Sequence, residues 1–290
     1  MVAHEAASGT GWRDKARDVE DLGYSTLVVP DHFGDNLSPF AAMTAAACAT
    51  AHLRVGSMVL NNDLRRPGLV AQEAASIDLL SSGRLEFGLG AGYMKEEYEA
   101  LGIDFDPGRD RLARLEDSVR TIKALLSGPS EPDGDVATIP ACVQEPHPPI
   151  LIGGGGPAIL RLAAREADIV GIIARARADG GGIDDADFSL SSLERKVDIV
   201  RREASRAGTS PEISALIQRV VIDDRDRARR QIAREWNWTA EQVEACPYLL
   251  LGSADEVARA VRTFQERFGI SYLCIFERDS RELGPLIGRI

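Results

Sequence analysis

Short apolar runs alternate along this chain with longer stretches whose apolar residues recur every three or four positions. Leu27–Val29, Leu53–Leu60, Leu85–Leu89, Ile150–Ile152, Ile169–Ile173, Ile213–Ile222 and Ser271–Phe276 are short, rich in Val, Ile and Leu, and bounded by turn residues, so they read as strands. The stretches between them read as helices. Trp12, Ala16, Val19 and Leu22 share a face that Gly23 closes, and Leu112, Leu115, Val119, Ile122 and Leu126 line another. Val257, Val261, Phe264 and Phe268 do the same between Ser253 and Gly269, while Ser38-Pro39 offers an N-cap and first-turn proline for a helix to Thr50. An eighth strand has only Met1–Ala7 to draw on, a poor candidate.

Strands alternating with helices over 290 residues predict an α/β fold: a closed (β/α)8 TIM barrel forming one domain, 1–290, with a first strand that is weak or truncated. An open doubly wound sheet is the alternative. Two stretches break the rhythm. Residues 127–149 are rich in proline, and residues 174–188 hold Gly180-Gly181-Gly182 with Asp179, Asp184, Asp185 and Asp187. Each exceeds what a plain connector needs and reads either as a lid over a site or as a solvated loop.

The net charge of −11 repels phosphate backbones and anionic lipids, which argues against nucleic-acid and membrane partners; it says little about a small-molecule substrate, which needs only a local basic pocket if acidic. Four widely spaced cysteines, with no CxxC pair, suggest neither a zinc site nor a disulfide framework; reduced thiols and a cytoplasmic location fit them.

Candidate chemistry falls at the ends of the expected strands, where barrels of this kind carry their sites. Asp31-His32 follows the first good strand. A histidine there can transfer a proton near neutral pH with Asp31 orienting it, or the pair is a surface turn. Asn61-Asn62 can hydrogen-bond the edge of a heterocycle, or serve a turn. Gly88-Leu89-Gly90-Ala91-Gly92-Tyr93 lets a flat ring approach the backbone, or lets a helix pack closely; its spacing is not that of a dinucleotide fingerprint. Gly153-Gly154-Gly155-Gly156-Pro157 opens a helix, and the free N–H groups of such a turn bind phosphate.

Taken in order, Gly23-Tyr24-Ser25-Thr26-Leu27-Val28-Val29-Pro30-Asp31-His32, Asp78-Leu79-Leu80-Ser81-Ser82-Gly83-Arg84, Gly88-Leu89-Gly90-Ala91-Gly92, Ile152-Gly153-Gly154-Gly155-Gly156 and Ala163-Ala164-Arg165-Glu166-Ala167-Asp168 carry a resemblance. The chain resembles the luciferase-like monooxygenase superfamily in its F420-dependent branch, over nearly all of residues 11–276. The resemblance implies a homodimeric oxidoreductase that binds coenzyme F420, or alternatively FMN, at the C-terminal mouth of the barrel. Hydride would pass between C5 of the deazaflavin and a small organic substrate. His32 would serve acid/base chemistry, with Asp31 beside it. Met58–Val59 would back the ring through a cis non-proline peptide, and Asn61, Gly90, Ala91 and Gly92 would line it. Gly153, Gly154, Gly155 and Gly156 would hold the cofactor phosphate. Tyr93 stands where sugar-phosphate dehydrogenases of this branch carry a catalytic glutamate. That departure favours reduction of an unsaturated substrate, with Tyr93 as a proton or hydrogen-bond donor. The rivals are a two-component FMN-dependent monooxygenase and a non-catalytic cofactor-binding barrel.

Overall fold

A computed structural model describes residues 1–128 and 139–290. Its strands are β1 (Thr26–Val29), β2 (Arg54–Ser57), β3 (Leu60–Asn61), β4 (Leu85–Gly90), β5 (Ile150–Gly154), β6 (Ile169–Ile172), β7 (Glu212–Leu216), β8 (Arg219–Ile222), β9 (Leu249–Gly252) and β10 (Ile270–Cys274). The main sheet runs β1-β2-β4-β5-β6-β7-β10 with β3 beside β4, and every pairing in it is parallel. All residues of β1, β4, β5 and β6 are buried. Helices cover a parallel sheet on the outside, so its strands read as continuous apolar runs rather than alternating ones.

The sheet is curled, and its two edges meet at one residue. Val2 forms parallel bridges to Val28 of β1 and to Phe276 just beyond β10. The Val2 N–H donates to the Ile275 carbonyl (2.7 Å) and the Val2 carbonyl accepts from Glu277 (2.9 Å), while Ala3 donates to Val28 (3.0 Å) and Val28 to Met1 (2.8 Å). The strand expected within Met1–Ala7 therefore contracts to a single bridging residue. His4 and Glu5 offer no β-branched side chain to extend it, and Ser8 already caps the helix Gly9–Asp21.

Two expected strands are broken. Leu53–Leu60 divides into β2 and β3 at Met58–Val59, whose peptide is cis as expected. Ile213–Ile222 divides into β7 and β8, and β8 leaves the main sheet to pair with β9. The helices Arg225–Trp236 and Ala240–Ala245 precede β9.

The outer layer follows the apolar stripes. Trp12, Ala16 and Val19 of the first helix are buried, and the Trp12 indole donates to the Ala42 carbonyl of the neighbouring helix Pro39–Ala49 (2.9 Å). Leu115, Val119, Ile122 and Leu126 bury the matching face of Gly108–Leu126. The helix Ala254–Phe268 buries Val257, Phe264 and Phe268, opens on a capping box between Ser253 and Glu256, and ends at Gly269 in the left-handed conformation.

One bridging residue holds the meeting edges where full ladders hold the rest. In native-state hydrogen exchange, the amides of Val2, Ala3 and Val28 should open before those of β4 and β5. Equal protection at both places would contradict this account of the edge.

Candidate active site

Because the strands are parallel, the segments that follow them emerge at one end. His32 lies beyond β1, Met58 and Val59 beyond β2, Ala91–Tyr93 beyond β4 and Gly155–Gly156 beyond β5. The residues that precede a strand lie at the other end. The described part of the 127–149 stretch is there: Val143 and Gln144 donate to the Asp78 carboxylate, and the Gln144 amide donates to the Leu85 carbonyl where β4 begins (2.7 Å). That part takes no share in the mouth, and residues 129–138 lie outside the described residues.

His32 sits between two partners. Its Nδ1 is 2.9 Å from Glu97 Oε1, which also accepts the Phe33 backbone N–H (3.1 Å). Its Nε2 is 3.4 Å from the Tyr93 hydroxyl, and the two rings meet edge to face with centroids 5.7 Å apart. Burial, with Glu97 nearby, pushes the Tyr93 hydroxyl above the ordinary phenol value, so it stays protonated near neutral pH. Glu97 was not among the residues singled out from sequence. The one trace of it is the acidic run Glu96-Glu97 in the short helix Lys95–Ala100, after a glycine-rich strand end.

Asp31 does not orient His32. Its buried carboxylate forms a two-pronged pair with Arg65, through Nη1 and through Nη2 (2.8 Å), and accepts the Asn61 backbone N–H (2.8 Å). Arg65 takes both Asp31 oxygens, so the carboxylate is committed away from the imidazole of its neighbour.

Asn61 is likewise occupied. Its side-chain carbonyl accepts the Asp63 N–H and the Tyr98 hydroxyl, each at 3.1 Å. Tyr98 is fully buried, and burial pushes its hydroxyl up to about 12. This contact requires Gly92: with φ of +70°, a Cβ at this position would fall 2.0 Å from the Tyr98 oxygen. The Ala91 carbonyl lies 3.5 Å from the same hydroxyl. The Asn61 carbonyl, Ala91 and Gly92 thus frame the Tyr98 contact.

Val59 explains three more glycines. A Cβ on Gly88, Gly90 or Gly153 would lie 2.6–2.8 Å from its side-chain methyls, so β4 and β5 close around Val59 only because these positions carry none. Met58 packs with Leu216 and Phe276 over the buried trio Val2, Val28 and Cys274.

The glycine turn after β5 has two halves. A Cβ on Gly154 would strike the Ile159 side chain, and one on Gly155 would fall 2.5 Å from the Arg175 backbone nitrogen. Gly156 faces open space, and the helix Pro157–Glu166 that it opens has no side-chain cap. Its first-turn N–H groups are the ones suited to an anionic oxygen, favoured further by the helix dipole.

Residues 174–188 form a hairpin over this turn. Ala176 bridges Ile183, and Arg177 donates to the Gly182 carbonyl (2.8 Å). At its root, buried Asp187 accepts the Arg175 N–H and pairs with buried Lys196, each at 2.5 Å. At its tip, the Lys95 N–H donates to the Gly180 carbonyl (3.2 Å). The hairpin therefore runs from the end of β6, past β5, to the segment beyond β4.

A family model described as luciferase-like monooxygenase matches residues 4–270. An F420-dependent glucose-6-phosphate dehydrogenase of Kribbella flavida is 29% identical over 232 residues, 75% of this chain and 66% of that protein. An uncharacterised Mycobacterium tuberculosis protein is 30% identical over 224 residues, 68% and 72% of the two chains. Among solved structures, the coenzyme F420 dependent tetrahydromethanopterin reductase of Methanopyrus kandleri aligns with a TM-score of 0.76 at 19% identity, covering 100% of this chain and 96% of the other. A riboflavin lyase with modified FMN aligns at 0.75 and 16% identity, covering 98% and 85%. At these identities the structural likeness is one of fold.

The two neighbours Asp31 and His32 should separate by experiment. Asp31→Asn leaves Arg65 without its carboxylate and should cost about 3 kcal/mol in urea unfolding. His32→Ala, on a partly exposed ring, should cost under about 1 kcal/mol. Equal losses would show that Asp31 is not the structural member of the pair.

Proposed function

The chain belongs to the luciferase-like monooxygenase family, and from that premise we propose that it is an F420-dependent oxidoreductase that reduces a small unsaturated organic substrate. We read the curled sheet, closed at Val2, as the (β/α)8 barrel of one domain. The observation that carries the functional reading is the His32–Tyr93 contact at the strand ends, within the same mouth as the open glycine turn at Gly156.

The residues present fit the cofactor. Val59 and Met58 offer an apolar floor for a flat ring, and Gly156 with the uncapped helix start offers backbone donors to a phosphate. When bound, reduced F420 supplies a hydride from C5 of its deazaflavin ring. The chain's part is to hold the substrate against the ring and supply the proton that accompanies the hydride. Tyr93, kept protonated by burial, is placed to donate it, and His32 to replenish it. The hairpin 174–188 serves as a lid that keeps water from the mouth.

The FMN-dependent reading stays in play because structures holding FMN share the fold with similar TM-scores. The family resemblance also suggests a homodimer. Leu69, Leu79 and Leu80 stand 61%, 52% and 60% exposed on the helix Pro67–Leu80 and are suited to an interface. Light scattering at the monomer mass of 31.3 kDa would remove the dimer from the proposal.

Titration with each cofactor tests the central reading: F420 should bind in the micromolar range and FMN weakly. Gly156→Asp puts a negative charge at the open end of the turn and should weaken F420 binding at least about tenfold without loss of fold. In turnover with reduced F420 and a panel of unsaturated substrates, His32→Ala should lose about 10²-fold or more in kcat with little change in cofactor affinity. Tight FMN binding with no response to F420 would promote the monooxygenase alternative.

A further inference from the structure

We infer that Glu97 is a positioning residue that fixes the tautomer of His32, holding the proton on Nδ1 and reserving Nε2 for exchange with Tyr93. The inference rests on the proposed acid/base role of His32 and Tyr93, and it adds a residue to that site.

The geometry begins with one oxygen. Glu97 Oε1 accepts the Phe33 backbone N–H at 3.1 Å and lies 2.9 Å from His32 Nδ1. A backbone N–H can only donate, so Oε1 is an acceptor on that side, and the ring nitrogen facing it is the one that carries hydrogen. Nε2 is then left to face the Tyr93 hydroxyl at 3.4 Å. The arrangement is held from both sides. Glu97 is mostly buried, with 12% of its side chain exposed, and its helix is tied to Asn61 through Tyr98. Phe33 is the residue next to His32, so the group that orients Glu97 moves with the ring it orients.

The order of proton movement follows. Hydride reaches the substrate carbon, and the electron pair of the broken π bond passes to the neighbouring atom. That atom takes the Tyr93 hydroxyl proton, and the Tyr93 oxygen takes a proton from Nε2 of the doubly protonated imidazole. After product leaves, water restores the Nε2 proton, since 32% of the His32 side chain remains exposed. Throughout, the proton stays on Nδ1, donated in a hydrogen bond to Glu97, and the ring cannot present the wrong nitrogen.

Nitrogen-15 NMR of the histidine ring, in the full chain without cofactor, tests this directly. The His32 signal is assigned by its loss in His32→Gln. At a pH where the ring is neutral, the wild type should show Nδ1 protonated and Nε2 bare. Glu97→Gln should keep that pattern, because the Phe33 N–H holds the amide oxygen in the place of Oε1. Glu97→Ala should lose it in favour of a mixture weighted to the Nε2 proton, and exposed Glu96→Ala should not. In turnover, Glu97→Ala should lower kcat by about 10²-fold with KM little changed, and Glu97→Gln should recover part of the loss. An unchanged Nδ1 pattern in Glu97→Ala would overturn the inference. A changed pattern in a chain that turns over with no deazaflavin would uphold it while the proposed function fails.

Discussion

One residue, Asn61, ties together the two segments that meet at His32. Its backbone N–H fixes Asp31, and with it the loop that carries His32. Its side-chain carbonyl fixes Tyr98, and with it the short helix that carries Glu97. Each bond alone has a modest net value, about 1 kcal/mol. Their effect lies in geometry: both segments are referred to the same strand end, so the spacing of His32 and Glu97 follows from a rigid element rather than from two loops.

The glycines of the mouth divide by what lies opposite them. Gly88, Gly90 and Gly153 clear room for Val59, Gly92 for the Tyr98 hydroxyl, and Gly155 for the backbone at Arg175. These are contacts of the protein with itself. Gly156 alone in the β5 turn faces open space, and it also begins a helix without a side-chain cap. A glycine-rich motif can thus be mainly a packing device and still leave one end open.

Two of the buried carboxylates anchor loops by charge. Arg65 holds Asp31 at the root of the His32 segment, and Lys196 holds Asp187 at the root of the hairpin. Such pairs add little net stability compared with apolar packing, but losing one partner is costly. That asymmetry suits them to segments with little apolar surface. The Asp187–Lys196 pair fixes where the hairpin starts, while its tip rests on the backbone bond from Lys95 to Gly180.

The sequence by itself determined the repeating units and which segments share one end of the sheet. Apolar runs and helical stripes are local patterns, and in a parallel sheet every strand end emerges on the same side, so His32, Tyr93 and the glycine turn are legible as sharing one end. The pairing of side chains was not. Asp31 adjoins His32 in sequence, yet its carboxylate pairs with Arg65, and Glu97 arrives from 65 positions away. The break at Met58–Val59 was foreseen only through the family resemblance. The departure of β8 toward β9, and the glycines given over to Val59 and Tyr98, depend on which strands lie side by side. Sequence periodicity reports which face of an element is apolar; only the packed fold reports what each polar group meets there, because hydrogen-bond partners are set by distance in space and not along the chain.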